Sequence, residues 1–149
     1  WRDFAERTPD LPIGVVVQSG TATHLPPDVL AGYEAPFPDA RSKAGAQVFP
    51  LIVPTSPQDP GAEEMEAVRD ALSTWAKPTL VAFSDADPVF PFPTAGQRFT
   101  ELIPSAGEQV RIEGAAHFLQ EDRGTLIAHE MVTWFAAGAG AGTSESGSP

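Results

Sequence analysis

Apolar positions fall into two regimes along this chain. Up to about residue 60 they come in short bursts interrupted by Pro and Gly, and no long amphipathic period is established. That texture predicts short helices joined by turns. Within 12–20, Val15-Val16-Val17 reads as a strand by β-propensity, although no turn signal pairs it with a second one. Pro26-Pro27-Asp28 predicts a helix start, since Pro fits the first turn and an acid complements the positive end of the helix; Ala35-Pro36-Phe37-Pro38-Asp39 should break it. Beyond residue 60 the pattern becomes regular. Met65, Val68, Leu72 and Trp75 recur at helical spacing over 62–76, behind Glu63, Glu64 and Glu66 in the first turn.

A continuous apolar stretch then predicts a strand at 79–83, followed by a helix over 94–103, a strand at 109–113 and a helix over 125–137. The order is α-β-α-β-α. Thr79-Leu80-Val81-Ala82-Phe83 is apolar on both faces and reads as an interior strand, whereas Val110 and Ile112 alternate with Arg111 and Glu113 as at a sheet edge. A two-stranded parallel sheet is not a stable domain by itself, so more strands are expected upstream of Trp1. The absence of an initiator Met points the same way, toward a truncated chain. Trp75 and Trp134 are expected in the core. After Phe135 the Ala/Gly/Ser run predicts a disordered tail over 138–149.

Composition narrows the partners. The net charge is −11 with only nine Lys and Arg, scattered, so a nucleic-acid partner is excluded. No apolar run is long enough to span a bilayer, and a cytoplasmic location is the expectation. Zero cysteines remove disulfides and a thiolate nucleophile, and the three histidines are too far apart in sequence to form a metal-ligand cluster. Neither a metal nor a cofactor is expected.

His117 is the strongest candidate for chemistry. It stands just after a predicted strand, where open α/β sheets place their sites, and Asp87 ends the preceding strand one helical crossover upstream. A carboxylate accepting the imidazole N–H would fix the tautomer and stabilise the imidazolium formed when the other nitrogen takes a proton from water. Asp85 competes with Asp87 for this role, and Asp87 is favoured because it precedes Pro88 and Val89 at the turn; the alternative for both is a turn carboxylate bonded to local N–H groups. Glu121 and Asp122 are expected to cap or charge-complement the following helix. His24 and His129 are expected to be structural or solvated. An Asp-His-nucleophile triad would then have two members here and lack the third.

Tyr33-Glu34-Ala35-Pro36-Phe37-Pro38-Asp39, Lys43-Ala44-Gly45 and Val48-Phe49-Pro50 resemble the cap segment of haloalkane dehalogenases, in the α/β-hydrolase superfamily. Asp87-Pro88 and Ala116-His117-Phe118-Leu119-Gln120-Glu121-Asp122 resemble the acid and base segments of the same family. The resemblance implies the C-terminal part of an α/β-hydrolase fold: a helical cap segment over 1–60, the last α-β-α-β-α of the core over 61–137, and the tail. It also implies a helix across 12–20, against the strand propensity, and it is the expectation adopted.

The implied activity is hydrolysis of carbon–halogen bonds. An Asp nucleophile upstream of Trp1 would form an alkyl-enzyme ester, and His117, paired with Asp87, would activate the water that cleaves it. Trp1 matches the cap Trp that donates its indole N–H to the halide. Phe49, Pro50, Val53, Val89, Phe90 and Phe118 match the wall of the substrate pocket, or else pack an ordinary core. The implied partners are a small apolar halogenated substrate and water, with a monomer expected for the full-length protein. The present chain alone is expected to be inactive and poorly soluble. Epoxide hydrolases use cap Tyr hydroxyls and only Tyr33 is present; esterases keep the same acid and base with a Ser nucleophile. A non-catalytic hydrolase-like protein is the remaining alternative.

Overall fold

In a computed structural model that describes residues 1–138, the chain runs α1 (Arg2–Arg7), α2 (Ile13–Ser19), α3 (Pro27–Glu34), α4 (Ala44–Ile52), α5 (Ala62–Ser73), β1 (Ala82–Ser84), α6 (Thr94–Leu102), β2 (Val110–Ile112) and α7 (Leu119–Ala136). These elements form two compact units, Trp1–Arg69 and residues 70 onward, with the division falling inside α5. Apart from Gly138, the expected tail lies outside the described residues.

In the first unit α1 packs on α4 and α2 on α3, around buried Ala5, Leu11, Val17 and Leu25. The valine triplet is helical. Val17 is buried while Val15 is exposed, so packing of one helical face decides the conformation and overrides β-propensity, which is weak and depends on context. Gln18 organises the turn that follows: its Nε2 donates to Thr21 Oγ1 and Thr23 O, both at 2.9 Å, and its Oε1 accepts from Leu25 N–H at 2.9 Å. Lys43 is buried with its Nζ 2.7 Å from Asp10 Oδ1 and 3.8 Å from Glu34 Oε2. The Asp10 hydrogen bond raises the Lys43 pKa despite desolvation.

The second unit is built on a parallel pair. Ala82, Phe83 and Ser84 of β1 face Val110, Arg111 and Ile112 of β2, and Val110 N–H reaches back to Val81 O at 2.8 Å. The strand predicted at 79–83 is shorter than expected, starting three residues later and ending one residue later, with an isolated bridge from Thr79 to Ala106. Pro78, which lacks an N–H, precedes it. The apparent interior strand pairs on one side only among the described residues. Val81, Ile103, Ile112, Ala115 and Ala116 are buried there. Gly96 lets α6 approach the sheet: a Cβ at that position would collide with Gln109 Oε1 and lie 3.0 Å from the Phe83 ring.

Two expectations need correction. Helix α7 begins at Leu119 rather than near residue 125, because a first turn forms before a break at Arg123 (φ −141°, ψ 33°). Trp75 is exposed rather than in the core: it lies beyond the end of α5, with Lys77 Nζ 5.2 Å from the ring centroid. Trp134 is half-buried. No helix among the described residues is long and apolar enough to cross a membrane.

Candidate active site

Parallel register places the ends of β1 and β2 side by side, and each strand runs directly into a loop that carries a functional candidate. After β1, Asp85 N–H donates to Ile112 O at 3.2 Å and Ala86 N–H to Ala115 O at 3.0 Å, which carries the pairing one step beyond the strands. The chain then turns at Asp87-Pro88. After β2, Gly114 adopts φ +68°, a conformation that L side chains rarely take, and redirects the chain toward His117. The result is a hydrogen bond across the sheet end: His117 Nδ1 lies 3.1 Å from Asp87 Oδ2.

Asp87 is buried at 8% exposure, and burial opposes its charge. Val89 N–H, the His117 ring and Phe90 N–H outweigh that penalty and hold the carboxyl below the usual aspartate range. The Val89 bond, to Oδ1, is 2.7 Å long. An ionised carboxylate accepts only, so the imidazole proton belongs on Nδ1 and the Nε2 lone pair is left to act as a base. The ring lies between Phe90, stacked at 5.7 Å, and Phe118, edge-on at 5.3 Å. His117 keeps 34% of its side chain exposed. A base with one nitrogen oriented by a buried carboxylate and aromatic rings on two sides is an arrangement suited to taking a proton from water.

Asp85 is engaged elsewhere. Its Oδ2 accepts from Arg111 Nη2 at 2.9 Å and its Oδ1 from Gly114 N–H at 2.8 Å. The Arg111 hydrogen bond is the main cause that lowers its pKa, with burial opposing. Glu121 and Asp122 lie in the first turn of α7, where acids complement the positive helix end, but neither caps it: α7 has no side-chain cap at its N-cap, and the Asp122 carboxylate is buried and accepts Ala116 N–H at 2.9 Å. Ser84 holds the other end of that residue, donating from Oγ to Ala116 O at 2.8 Å. Neither Ser84 nor Asp122 stands out in the sequence. A polar residue at the end of an apolar strand, and an acid followed by Arg-Gly inside a helical pattern, are the only signals.

His117, Asp87, Val89, Phe90 and Phe118 are thus neighbours within the second unit. Trp1, Phe49, Pro50 and Val53 belong to the first. Trp1 is the N-cap of α1, 61% exposed and stacked on Phe4 at 5.4 Å. Phe49 is exposed on α4 and Pro50 buried inside it, while Val53 ends the helix and accepts Arg2 Nη1 at 2.8 Å through its carbonyl. His24 and His129 are exposed. Among the described residues no group of three His, Asp or Glu converges as a metal site would require.

No family model matches the chain. It is 43% identical over 135 residues to a haloalkane dehalogenase of Mycobacterium marinum and 45% identical over 136 to haloalkane dehalogenase 1 of Mycobacterium bovis, each match covering 90% of the chain and 45% and 44% of those proteins. A haloalkane dehalogenase of Psychrobacter cryohalolentis is 41% identical over 136 residues, with 89% of the chain and 44% of the relative covered. The chain therefore spans less than half the length of the curated relatives it matches. Among solved structures, the tetrameric haloalkane dehalogenase DpaA of Paraglaciecola agarilytica superposes with TM-score 0.78 at 27% identity, over 87% of this chain and 43% of that one. The haloalkane dehalogenase DbeA of Bradyrhizobium elkani, at 21% identity and TM-score 0.74 over 90% of this chain and 43% of its own, shares the fold. The comparisons lend the expected monomer no support, since DpaA is a tetramer.

Proposed function

We propose that this chain, which is similar in sequence and fold to part of the haloalkane dehalogenases and has a partial α/β-hydrolase fold, carries the acid–base machinery of a hydrolase acting on carbon–halogen bonds. The observation that carries the reading is the His117–Asp87 pair, 3.1 Å apart at the ends of two parallel strands. In the proposed reaction an aspartate, on a part of the enzyme that this chain does not match, attacks the halogen-bearing carbon. A C–O bond forms, the carbon–halogen bond breaks, and halide leaves with the electron pair. Water then attacks the carbonyl carbon of the alkyl ester as His117 Nε2 takes its proton, and Asp87 stabilises the imidazolium. The alcohol leaves with that proton as the ester bond breaks, and the regenerated aspartate gives up the second proton of the water. Haloalkane and water become alcohol, halide and a proton.

Trp1 is the proposed indole donor to the halide, a role that rests on the resemblance and suits an exposed N–H donor. Phe90 and Phe118, beside the base, supply an apolar lining suited to an uncharged substrate, and Val89, Phe49, Pro50 and Val53 are assigned to the substrate pocket on the resemblance alone. A cytoplasmic location and a monomer of the relatives' full length remain parts of the proposal, checked by fractionation and sedimentation. Halide release from short bromoalkanes by the protein of full length tests the activity. Release of bromide with a matching amount of alcohol supports it; hydrolysis of esters or epoxides without bromide release moves the enzyme to another branch of the superfamily.

A further inference from the structure

The four residues that lead from β2 to the base, and the base itself, are each tied down. Arg123 Nε donates to Glu113 O at 3.0 Å, Gly114 N–H to Asp85 Oδ1 at 2.8 Å, and Ala86 N–H to Ala115 O at 3.0 Å. Ala116 is held at both its N–H and its C=O, by Asp122 Oδ2 at 2.9 Å and Ser84 Oγ at 2.8 Å. His117 follows with its bond to Asp87. The two grips on Ala116 differ from the Glu113 and Gly114 ties in being buried, with Ser84 at 3% and Asp122 at 9% exposure, so water cannot readily take their place.

Keeping a carboxylate out of water is costly unless it is well bonded, and a short capping side chain would have satisfied the helix end at lower cost. Asp122 instead reaches back six residues along the chain, to the N–H of the residue that precedes the base. The Ala116 carbonyl held by Ser84 belongs to the peptide bond that joins Ala116 to His117. Rotation of that peptide would swing the imidazole away from Asp87 and from the water it must deprotonate.

We propose that Asp122 and Ser84 are positioning residues for His117: by gripping the backbone of Ala116 at its N–H and its carbonyl, they hold the imidazole in the orientation that pairs Nδ1 with Asp87 and presents Nε2 to water. Neither touches the reacting atoms. The kinetic part of the inference rests on the dehalogenase reading, in which the base acts only in ester hydrolysis; the geometric part does not.

The test uses the full-length protein with three variants, Asp122→Ala, Asp122→Asn and Ser84→Ala, and two readouts. The first is the downfield proton resonance of the hydrogen-bonded His117 Nδ1–H. The second is pre-steady-state halide release alongside steady-state turnover. Asp122→Ala should abolish or broaden the resonance and lower kcat about 100-fold, the scale set by an ångström of misplacement, while the stoichiometric halide burst persists. Asp122→Asn keeps an acceptor for Ala116 N–H and should restore the resonance and most of the turnover. Ser84→Ala should give a smaller loss, about tenfold, and it carries the test if Asp122→Ala does not fold. Unchanged resonance and turnover in the alanine variants, or equal loss in Asp122→Asn and Asp122→Ala, would overturn the proposal. If the unsubstituted protein releases no halide at all from bromoalkanes, the dehalogenase reading fails, and the resonance alone still decides whether Ala116 is the lever.

Discussion

Replacing Asp87 by Asn removes one charge and one acceptor while leaving the shape of the side chain, and the surrounding bonds dictate which way the new amide must point. Oδ1 of Asp87 receives Val89 N–H at 2.7 Å. If the amide NH2 were turned to that side, two donors would face each other in a buried place, at a cost of about 1–3 kcal/mol. The carbonyl therefore stays toward Val89, and the NH2 faces His117 Nδ1 across the 3.1 Å gap that now holds a carboxylate. A donor in that position makes Nδ1 an acceptor and moves the ring proton to Nε2, the nitrogen that has to accept a proton from water. Regenerating the working tautomer means giving up that new bond, and the imidazolium loses its charged partner as well. The same substitution in a Ser-His-Asp protease, on an unrelated fold, slows turnover about 10⁴-fold. The loss expected here is about 10³–10⁴-fold in ester hydrolysis, equivalent to about 4–5.5 kcal/mol of barrier. The assay is rapid-quench halide release with 1-bromobutane: the first turnover should keep its amplitude and rate, since the base takes no part in it, and the steady-state rate should collapse. A steady-state rate within tenfold of the unsubstituted protein would refute the tautomer argument.

Gly114→Ala should destabilise the folded chain by about 1–2 kcal/mol through the positive φ alone, and by more because the new Cβ would sit 2.6 Å from Arg123 Nη2 and push the guanidinium off Glu113 O; urea unfolding monitored by circular dichroism measures it, and a change under about 0.5 kcal/mol would contradict the clash. Asp59, held by Thr55 and Ser56 N–H groups and hydroxyls, has its pKa lowered from 3.8 to about 2. Because the folded value is the depressed one, the unfolded chain binds the proton first; its stabilisation is present above pH 3.8 and is lost as pH falls toward about 2. Asp59→Asn should flatten that part of the acid-unfolding curve, and an unaltered slope would count against it. Residues 1–149 alone should release no halide from bromoalkanes, since the proposed nucleophile lies outside them; measurable turnover by this chain would place the nucleophile within it.

Much of the chain beyond residue 60 is legible in the sequence because its pattern is local. The helix at 62–76 and the one at 94–103 follow from apolar spacing, and they appear as α5 and α6 with ends shifted by a few residues or less. The valine triplet shows the opposite case: three β-branched residues carry a strand propensity that packing against α3 reverses, and only the family resemblance anticipates the helix. Asp87 and His117 can be singled out because each follows a strand, yet nothing in their spacing distinguishes Asp87 from Asp85. The register does so physically, giving Asp85 to Arg111 and Gly114 and leaving Asp87 opposite the imidazole. Asp122 reads as a helix-capping acid because acids in a first turn usually serve the helix. Its bond to Ala116 N–H, like the backbone break at Arg123, is recorded by no hydrophobic period.

The most direct test of the central claim is the intact mass of the full-length protein carrying His117→Phe after incubation with 1-bromobutane. If the imidazole is the base that opens an alkyl-enzyme ester, bromide is released once per chain and a butyl group remains covalently attached, stable for hours and released only by denaturation and alkali. If no butyl adduct accumulates, or if this variant turns over like the unsubstituted protein, the role assigned to His117 is wrong.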